Sequence, residues 1–340
     1  MVLTSRSFQE QGRIATDLMS AVRILLPWTF ATILAGSIGF DVASRVAGPS
    51  DMLVALPSTG GDRGPPRPLP FFYDLYTFRG EGGRTTVVAA FAVEAGELES
   101  ERFGDNKRYR FSVTLVLADR LLRSVTNRHD RVFAELPLHV PDEHLLCTHI
   151  EVQAPPSHDI QQRVTMIDAT KAFIGQMYSK DTRIPDYSGT ELMVSDVALG
   201  QPDLPAGWTR GEATLALLPT SLFPSSAFDV YYEIYNLPVG NPYTTEVTVE
   251  RVAGTSRNTA EGRESIRLLF AGESAAGADG TLPELRRVES SLPEGSYRIT
   301  VTVEDLNTGK TASRSRTFEI QTSWRGATMV PAVQVEPRKR

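Results

Sequence analysis

Cysteine is nearly absent from this sequence, and its scarcity narrows the available chemistry. Cys147 is the only cysteine among 340 residues, which excludes an internal disulfide and a zinc site built from several cysteines. Basic residues are not in surplus either, because 35 lysines and arginines stand against 41 aspartates and glutamates, for a net charge of −6. Nucleic-acid-binding chains usually carry the opposite balance. We therefore predict no nucleic-acid partner.

Motifs for catalysis and cofactor binding are also missing. The sequence contains no G-x-S-x-G or H-E-x-x-H pattern, no Walker loop and no G-x-G-x-x-G. Hydrophobic residues still make up 41%, which is enough for real cores. We predict a folded protein with no catalytic residue, no cofactor and no metal. A hydrolase would have to assemble its site from residues scattered along the chain.

An uncharged apolar run of 17 residues occupies positions 24–40. It is short for a membrane span and long for the core of a signal peptide. If translation begins at Met1, acidic residues precede the run; if it begins at Met19, Arg23 alone supplies a charge, as in an export signal. The alternative is a buried helix. We predict an exported protein (periplasmic, envelope-anchored or extracellular) with residues 1–48 as its signal or membrane anchor.

Proline and glycine dominate the stretch that follows. Residues 57–70 contain five prolines and three glycines. Such a composition cannot bury a core and favours an extended polyproline spacer. We predict that residues 49–70 form a Pro/Gly-rich linker between the apolar segment and the folded part of the chain.

Two series of strand-like runs come after the linker. Each run is short, rich in β-branched and aromatic residues, and bounded by turn residues, as in β-sandwiches. The first series covers 71–78, 84–93, 107–118, 131–138, 144–152, 159–168 and 171–179, and the second covers 190–199, 214–221, 228–237, 243–252, 264–270 and a closing pair within 292–321. We predict an all-β protein with an N-terminal apolar helix, two tandem immunoglobulin-like sandwiches at 71–185 and 186–322, and a flexible basic tail at 323–340.

The closing pair carries the clearest pattern in the sequence. From Tyr297 to Glu304 apolar and polar residues alternate, which is the period of a half-buried strand. The preceding Glu294-Gly295-Ser296 gives Tyr297 the spacing of the tyrosine corner found in immunoglobulin-type folds. We therefore expect a buried Tyr297 ring whose hydroxyl bonds to backbone a few residues upstream.

Three segments resemble bacterial proteins of the GWxTD-domain group. They are Tyr187–Leu199, Asp229–Leu237 and the Leu-Pro-x-Gly-x-Tyr pattern at 292–297. The resemblance extends over about residues 70–322, but Gly207-Trp208-Thr209-Arg210 lacks the aspartate of the motif that names the group. The group has no settled activity, so the resemblance implies an exported or envelope protein with two sandwiches and nothing catalytic.

Tyr231, Glu233 and Tyr235 form a candidate ligand or interaction face. They alternate along one predicted strand and so share a side of it. Aromatic rings beside a carboxylate are able to stack on a sugar, which predicts a glycan ligand. The alternative is that the rings pack against a second sheet or a domain interface. We favour packing, because aromatic residues in strands are chiefly packing residues.

Two further patterns point toward metal ions and have simpler explanations. Cys147 and His149 share a strand face, but a tetrahedral site requires at least three converging protein ligands. Asp305-x-Asn307-x-Gly309 begins like a calcium loop, yet Arg316 stands where the loop's final glutamate belongs. A tight hairpin uses the same turn residues. We predict core or surface residues rather than metal ligands in the first case and a hairpin in the second.

Taken together, these features predict a non-enzymatic, exported or envelope-anchored β-sandwich protein. It would act as a structural or protein-interaction module with a protein partner in the cell envelope, and with membrane contact through its N-terminal segment. The alternative is a carbohydrate-binding or accessory module of a secreted enzyme system, which depends on the face formed by Tyr231 and Tyr235.

Overall fold

The computed structural model describes residues 67–121, 125–171, 174–201, 207–219, 227–252, 265–289, 292–320, 329–331 and 333–334. These residues form twenty β-strands and two short 3-10 helices, Glu81–Gly83 and Ala95–Glu97. The predicted all-β class is confirmed. The predicted N-terminal apolar helix lies outside the described residues. In the described part of the chain no helix is long and apolar enough to cross a membrane.

The alternating pattern predicted around Tyr297 forms a strand in which every second side chain is buried. Tyr297, Ile299, Val301 and Val303 are fully inaccessible to solvent, whereas Arg298 and the residues that alternate with them reach toward solvent. Burying one such apolar side chain stabilises a fold by roughly 1.5–3 kcal/mol. The Tyr297 hydroxyl donates to the carbonyl oxygen of Pro293 at 2.8 Å, so the predicted tyrosine-corner contact is confirmed.

The first predicted sandwich contains two sheets. Its outer sheet has the order β20-β5-β4-β7-β8, with β3 paired to β4, and its inner sheet has the order β1-β2-β6-β19. The outer strands are β3 Ser100–Phe103, β4 Asn106–Asp119, β5 Val125–Pro137, β7 Ser157–Asp168, β8 Gly175–Ile184 and β20 Val333–Gln334; the inner strands are β1 Phe72–Arg79, β2 Thr85–Glu94, β6 Leu145–Ala154 and β19 Met329–Pro331.

The second predicted sandwich also contains two sheets. Its inner sheet has the order β11-β12-β10-β13-β16, with β9 paired to β13, and its outer sheet has the order β15-β14-β17-β18. The inner strands are β9 Met193–Val194, β10 Ala198–Gln201, β11 Trp208–Arg210, β12 Ala213–Leu217, β13 Phe228–Tyr235 and β16 Thr281–Val288; the outer strands are β14 Pro242–Arg251, β15 Ser265–Glu273, β17 Gly295–Asp305 and β18 Thr311–Ile320.

Three apolar clusters hold the four sheets together. One lies between the two sheets of the first range and includes Phe91 and Phe111. A second lies mainly between the two sheets of the second range and includes Tyr232 and Val301. The third joins the two inner sheets to each other. Strands β2 and β13 are consequently buried on both faces, as central strands between packed layers are.

The predicted division at residue 185 stays a prediction, although the sheets divide between the two ranges at that point. The exceptions are β19 and β20, which come from the end of the chain and pair with strands of the first range. The predicted linker also contributes to the fold at its end, because Leu69 is fully buried in the first cluster. The first sandwich therefore includes strands from the tail that was predicted to be flexible and a core residue from the predicted linker.

Some predicted strands differ from the observed ones. The run at 190–199 was expected to be one strand, but it forms β9 and β10 with a break between them. The break turns Asp196 toward β1, where its carboxylate accepts a bond from the Thr77 backbone N–H at 2.9 Å. Strand β16 has no counterpart among the predicted runs. It contains Pro283, which removes a backbone donor and is tolerated because β16 is at the sheet edge.

Candidate functional site: the junction between the inner sheets

Charged and aromatic side chains are concentrated where the two inner sheets meet and where β18, an edge strand of the second outer sheet, reaches β1 and Asp196. We call this group the junction network. It contains Asp74, Tyr76, Thr77 and Arg79 from the first range, and Tyr187, Asp196, Trp208, Arg210, Tyr231, Glu233, Tyr235, Arg314 and Arg316 from the second. Burial of so many polar groups requires that they bond to one another.

Glu233 is the centre of one half of the junction network. Its carboxylate accepts hydrogen bonds from the Tyr231 hydroxyl at 2.8 Å and the Tyr235 hydroxyl at 2.6 Å. Arg210 approaches it with Nε and Nη2, the latter at 3.0 Å, in a two-pronged ion pair. The carboxylate is only 3% exposed. Burial, and next the charge of Glu233, raise the pKa of Tyr231 and of Tyr235 well above the usual range, so both hydroxyls stay protonated donors.

This half of the network also joins the two ranges of the chain. The Arg210 Nη2 donates to the backbone carbonyl of Arg79 at 2.7 Å, and the Arg79 backbone N–H donates to the Tyr235 hydroxyl at 2.8 Å. The Arg79 guanidinium lies 4.3 Å from the centre of the Tyr235 ring. Strand β1 is thereby bonded to β11 and β13 across the junction.

Asp196 is the centre of the other half. Its Oδ2 accepts from the Thr77 backbone and from the Thr77 hydroxyl at 2.6 Å. Its Oδ1 pairs with the guanidinium of Arg314, whose Nε is 2.6 Å away. Burial alone would raise the pKa of Asp196, but the neighbouring Arg314 and Arg316 outweigh burial, and the net shift is downward. The carboxylate is therefore held in its charged form.

Arg316 extends this half of the network along β1, toward the start of that strand. Its Nη1 lies 2.6 Å from Asp74, and its Nη2 donates to the Leu75 carbonyl at 2.8 Å. Its guanidinium is 4.2 Å from the centre of the Tyr76 ring, and the side chain is only 7% exposed. A buried arginine so fully bonded fixes the position of β18 against β1.

Aromatic rings fill the space between the ion pairs. Phe78 and Trp208 are stacked with ring centres 5.0 Å apart, and Tyr231 meets Trp208 edge-on at 5.4 Å. The Trp208 indole N–H donates to Glu151 on β6 at 3.2 Å. Aromatic pairs of this kind contribute about 0.5–1.5 kcal/mol beyond the area they bury. The junction is therefore packed as a core rather than as a wet contact.

Segments 187–199 and 229–237, two of the three on which the GWxTD resemblance rests, meet beside the network. Asn236 has a left-handed backbone conformation, with φ of 63°, the only such non-glycine residue among those described. Its side-chain Nδ2 donates to the carbonyls of Gly189 and Glu191 at 2.8 and 2.7 Å, while its Oδ1 accepts from Arg79 at 2.9 Å. These motif residues therefore carry contacts between segments of the fold.

The predicted ligand face lies inside this junction. Tyr231 and Tyr235 are fully buried, and Glu233 is 2% exposed. The three side chains do share one side of β13, as the alternation indicated, and Val230, Tyr232 and Ile234 point into the second cluster. A sugar could reach the rings only if the two inner sheets separated. The geometry matches the alternative of a domain interface.

The other predicted positions are explained by packing and turn geometry. Burial raises the pKa of the Cys147 thiol, and burial, with a smaller effect of Arg128, lowers the pKa of His149 to about 4. Asp305 caps its own hairpin, accepting from the Asn307 backbone at 3.0 Å and from Thr308 at 2.8 Å. In the described part of the chain no group of three or more metal-binding side chains converges.

Sequence reasoning did not identify Asp74, Asp196, Arg210, Arg314 or Arg316 as members of a site. Each lies in a strand or loop, where a charged side chain is ordinarily exposed. One signal was available: Arg314 and Arg316 alternate on the closing strand and so share a face. Their partners are more than 100 residues away in the sequence, so nothing local indicates burial.

No family model and no curated protein matches this sequence. Among solved structures, red sea bream transglutaminase is similar over 74% of this chain, with 13% identity and a TM-score of 0.21. A calcium-binding mutant of Bacteroides uniformis β-glucuronidase 2 matches over 72%, with 8% identity and a TM-score of 0.24. Bacteroides uniformis β-glucuronidase matches over 69%, with 9% identity and a TM-score of 0.23. The aligned part covers 31%, 27% and 26% of those chains.

Proposed function

We propose that this chain is a non-enzymatic structural or protein-interaction module, exported from the cell or anchored in its envelope. In this proposal two immunoglobulin-like sandwiches are held in one fixed orientation and present their outer sheets to a protein partner. The observation that carries it is the junction network, in which buried charges and rings join the two inner sheets.

The charged side chains of the junction network bond to other groups of the same chain. This internal pairing supports a mechanical role. Glu233 bonds to Arg210 and two tyrosine hydroxyls, and Asp196 bonds to Arg314 and Thr77. A group in a working active site must instead reach a substrate. Buried ion pairs contribute little net stability but fix one geometry, since a displaced partner leaves an unpaired buried charge. Fixed geometry is what a spacer or docking platform requires.

Export is supported by the apolar run at 24–40 and the Pro/Gly-rich linker of the sequence. Fusing residues 19–70 to a reporter that is active only outside the cytoplasm tests this part directly. An active reporter is expected. An inactive, soluble reporter would overturn the envelope assignment and would leave the segment as a buried helix.

The interaction role is tested with a photo-crosslinking amino acid placed at Leu269, which is 67% exposed on edge strand β15. In the source cells a discrete adduct with an envelope protein is expected. Arg316→Leu should weaken the adduct severalfold, because the outer sheet of β15 and β18 is then no longer held against β1. The control is Arg120→Ala, which removes an arginine that is 60% exposed and should leave the adduct unchanged. Absence of any adduct at Leu269 and at exposed Leu121 would count against the proposal.

Carbohydrate binding is the weaker candidate. It was predicted from Tyr231 and Tyr235, and both rings are buried: Tyr231 packs in the cluster between the inner sheets, and Tyr235 packs under Arg79 of the first range. A glycan array with the intact chain tests it. Specific binding that is lost in Tyr231→Ala, while the thermal stability of the variant is retained, would favour this alternative over the structural role.

A further inference from the structure

The solvent side of the outer sheet in the first sandwich is rich in arginine. On β4 and β5 the buried residues, such as Phe111 and Val132, alternate with residues that face outward. The outward-facing arginines of β4, β5 and β7 are Arg108, Arg110, Arg131 and Arg163. We call these four residues the arginine face. The chain as a whole has a net charge of −6, so this concentration of positive charge is local.

Two residues of the arginine face are paired with carboxylates. Arg108 donates to Glu135 at 2.8 Å, and Arg110 pairs with Glu101 through Nη2. Both partners of the second pair remain close to half exposed. A guanidinium group has several N–H donors, and Arg110 therefore retains donors for a further acceptor.

The other two residues of the arginine face have no carboxylate partner. Arg163 bonds to the neutral amide oxygen of Gln161 at 2.7 Å. Arg131 is exposed and has no hydrogen bond or ion pair with any residue that the structure describes. These two guanidinium groups are therefore available to an anionic partner.

Arg131 and Arg110 share a depression of 540 Å³ on this side of the sheet. Its outward-facing lining residues are Arg110, Ser112, His129, Arg131 and Phe133. No acidic residue is among the described residues that line it. Strand register sets Arg131 directly opposite Ser112, so a guanidinium and a hydroxyl lie side by side. A carboxylate suits such a lining, because arginine offers only donors and bonds carboxylates in a two-pronged geometry.

The apolar residues beside the arginines favour a protein as the source of the carboxylates. Phe133 is half-buried and lies opposite Arg110, and half-buried Ile167 lies opposite Ser112. Arginine and aromatic residues are the types most enriched in protein interfaces. A long polyanion would also meet the net negative charge of the whole chain.

We propose that the arginine face is a docking site for an acidic segment of a protein partner, with carboxylates of that segment bonded to Arg131 and Arg110 in the depression and to Arg163 beside it. This inference rests on the proposed function in taking a protein as the partner, and it adds the chemistry of the partner and the place where it binds. Exposed ion pairs are individually weak and are screened by salt. Binding therefore depends on several pairs acting together and should weaken as the salt concentration rises.

A labelled oligoglutamate peptide tests the site with the full chain, by fluorescence anisotropy at low salt. Saturable binding is expected. Arg131→Glu should weaken it by roughly tenfold, because the reversed charge replaces an attraction with a repulsion. Arg163→Glu should weaken it in the same direction. The matched control is Arg267→Glu, which changes the net charge equally and replaces an arginine that is 71% exposed on β15 of the second sandwich. This control should bind like the wild type, and all three variants should keep the wild-type melting temperature.

Two results would overturn the site. One is the absence of saturable binding by the peptide, and the other is equal weakening in Arg131→Glu and Arg267→Glu, which would mean that binding follows net charge alone. Inorganic polyphosphate is the competing probe. Tighter binding of polyphosphate than of oligoglutamate would overturn a protein segment as the occupant. None of these measurements involves Leu269 or the location of the protein in the cell, so failure here is distinguishable from failure of the proposed function.

Discussion

The interior of the second sandwich and the junction between the inner sheets are both buried, but they are built differently. In the second sandwich the core is apolar, and the neighbouring strands β14 and β17 of the outer sheet turn Val247, Val249, Ile299 and Val301 inward. At the junction, buried arginines and carboxylates alternate with aromatic rings. Apolar contact is non-directional and forms wherever side chains of suitable size meet. Ion pairs form only in one arrangement, so the junction fixes orientation and the apolar core supplies stability.

The largest expected effect comes from breaking this buried pairing. Arg316→Leu removes the guanidinium that pairs with Asp74 and one of the two cations beside Asp196. Removing one partner of a buried ion pair typically destabilises by about 3–5 kcal/mol, because the other charge stays buried. Chemical denaturation of the full chain measures this change.

The matched comparison is Arg120→Ala. Arg120 pairs with Asp159 and Asp181, but its side chain is 60% exposed, and exposed pairs contribute at most about 1 kcal/mol. A loss of the same size in both variants would mean that the junction ion pairs act like surface ones. The distinction between the two buried regions would then fail.

A smaller, pH-dependent effect is expected from His149, which lies on the side of β6 that faces the second range. Its pKa in the folded chain is lowered from 6.5 to about 4. Between these values the unfolded chain binds a proton that the folded chain does not, so stability falls as the pH falls from 6.5 to 4. At about 1.36 kcal/mol per pKa unit, the loss is at most about 3.4 kcal/mol.

Unfolding free energies of the wild type and of His149→Gln, measured at several pH values, test this. The variant should lose less stability than the wild type across that interval, and the two should converge in slope above pH 7. Parallel slopes throughout would show that His149 is not the group responsible.

The smallest expected effect lies in the second sandwich itself. Tyr297→Phe removes the hydroxyl that donates to the Pro293 carbonyl and leaves the packed ring in place. The loss should be about 1 kcal/mol, the net contribution of one such hydrogen bond, seen as a lower midpoint in thermal or denaturant unfolding. A loss as large as that of Arg316→Leu would contradict the view that directional contacts matter most at the junction.

Local pattern predicted the closing hairpin of the second sandwich closely. The alternation at β17 and the turn residues Asp305 to Gly309 belong to one hairpin, between β17 and β18, and both were confirmed. The run at 171–179 was placed too early, since β8 spans Gly175–Ile184. That strand continues into Lys180, Asp181 and Arg183, and charged residues at a sheet edge carry little strand signal in a sequence.

The sequence by itself determined which side chains share a face of a strand, because the alternation of side chains along a strand is a local property with a period of two. It even placed Tyr231, Glu233 and Tyr235 on one side of β13. What covers that side was decided only by the tertiary structure. The arginine that pairs with Glu233 comes from another strand, and the carbonyl that the same arginine binds comes from the first range. Charge pairing depends on distance in space, and distances in space follow from the packing of the sheets.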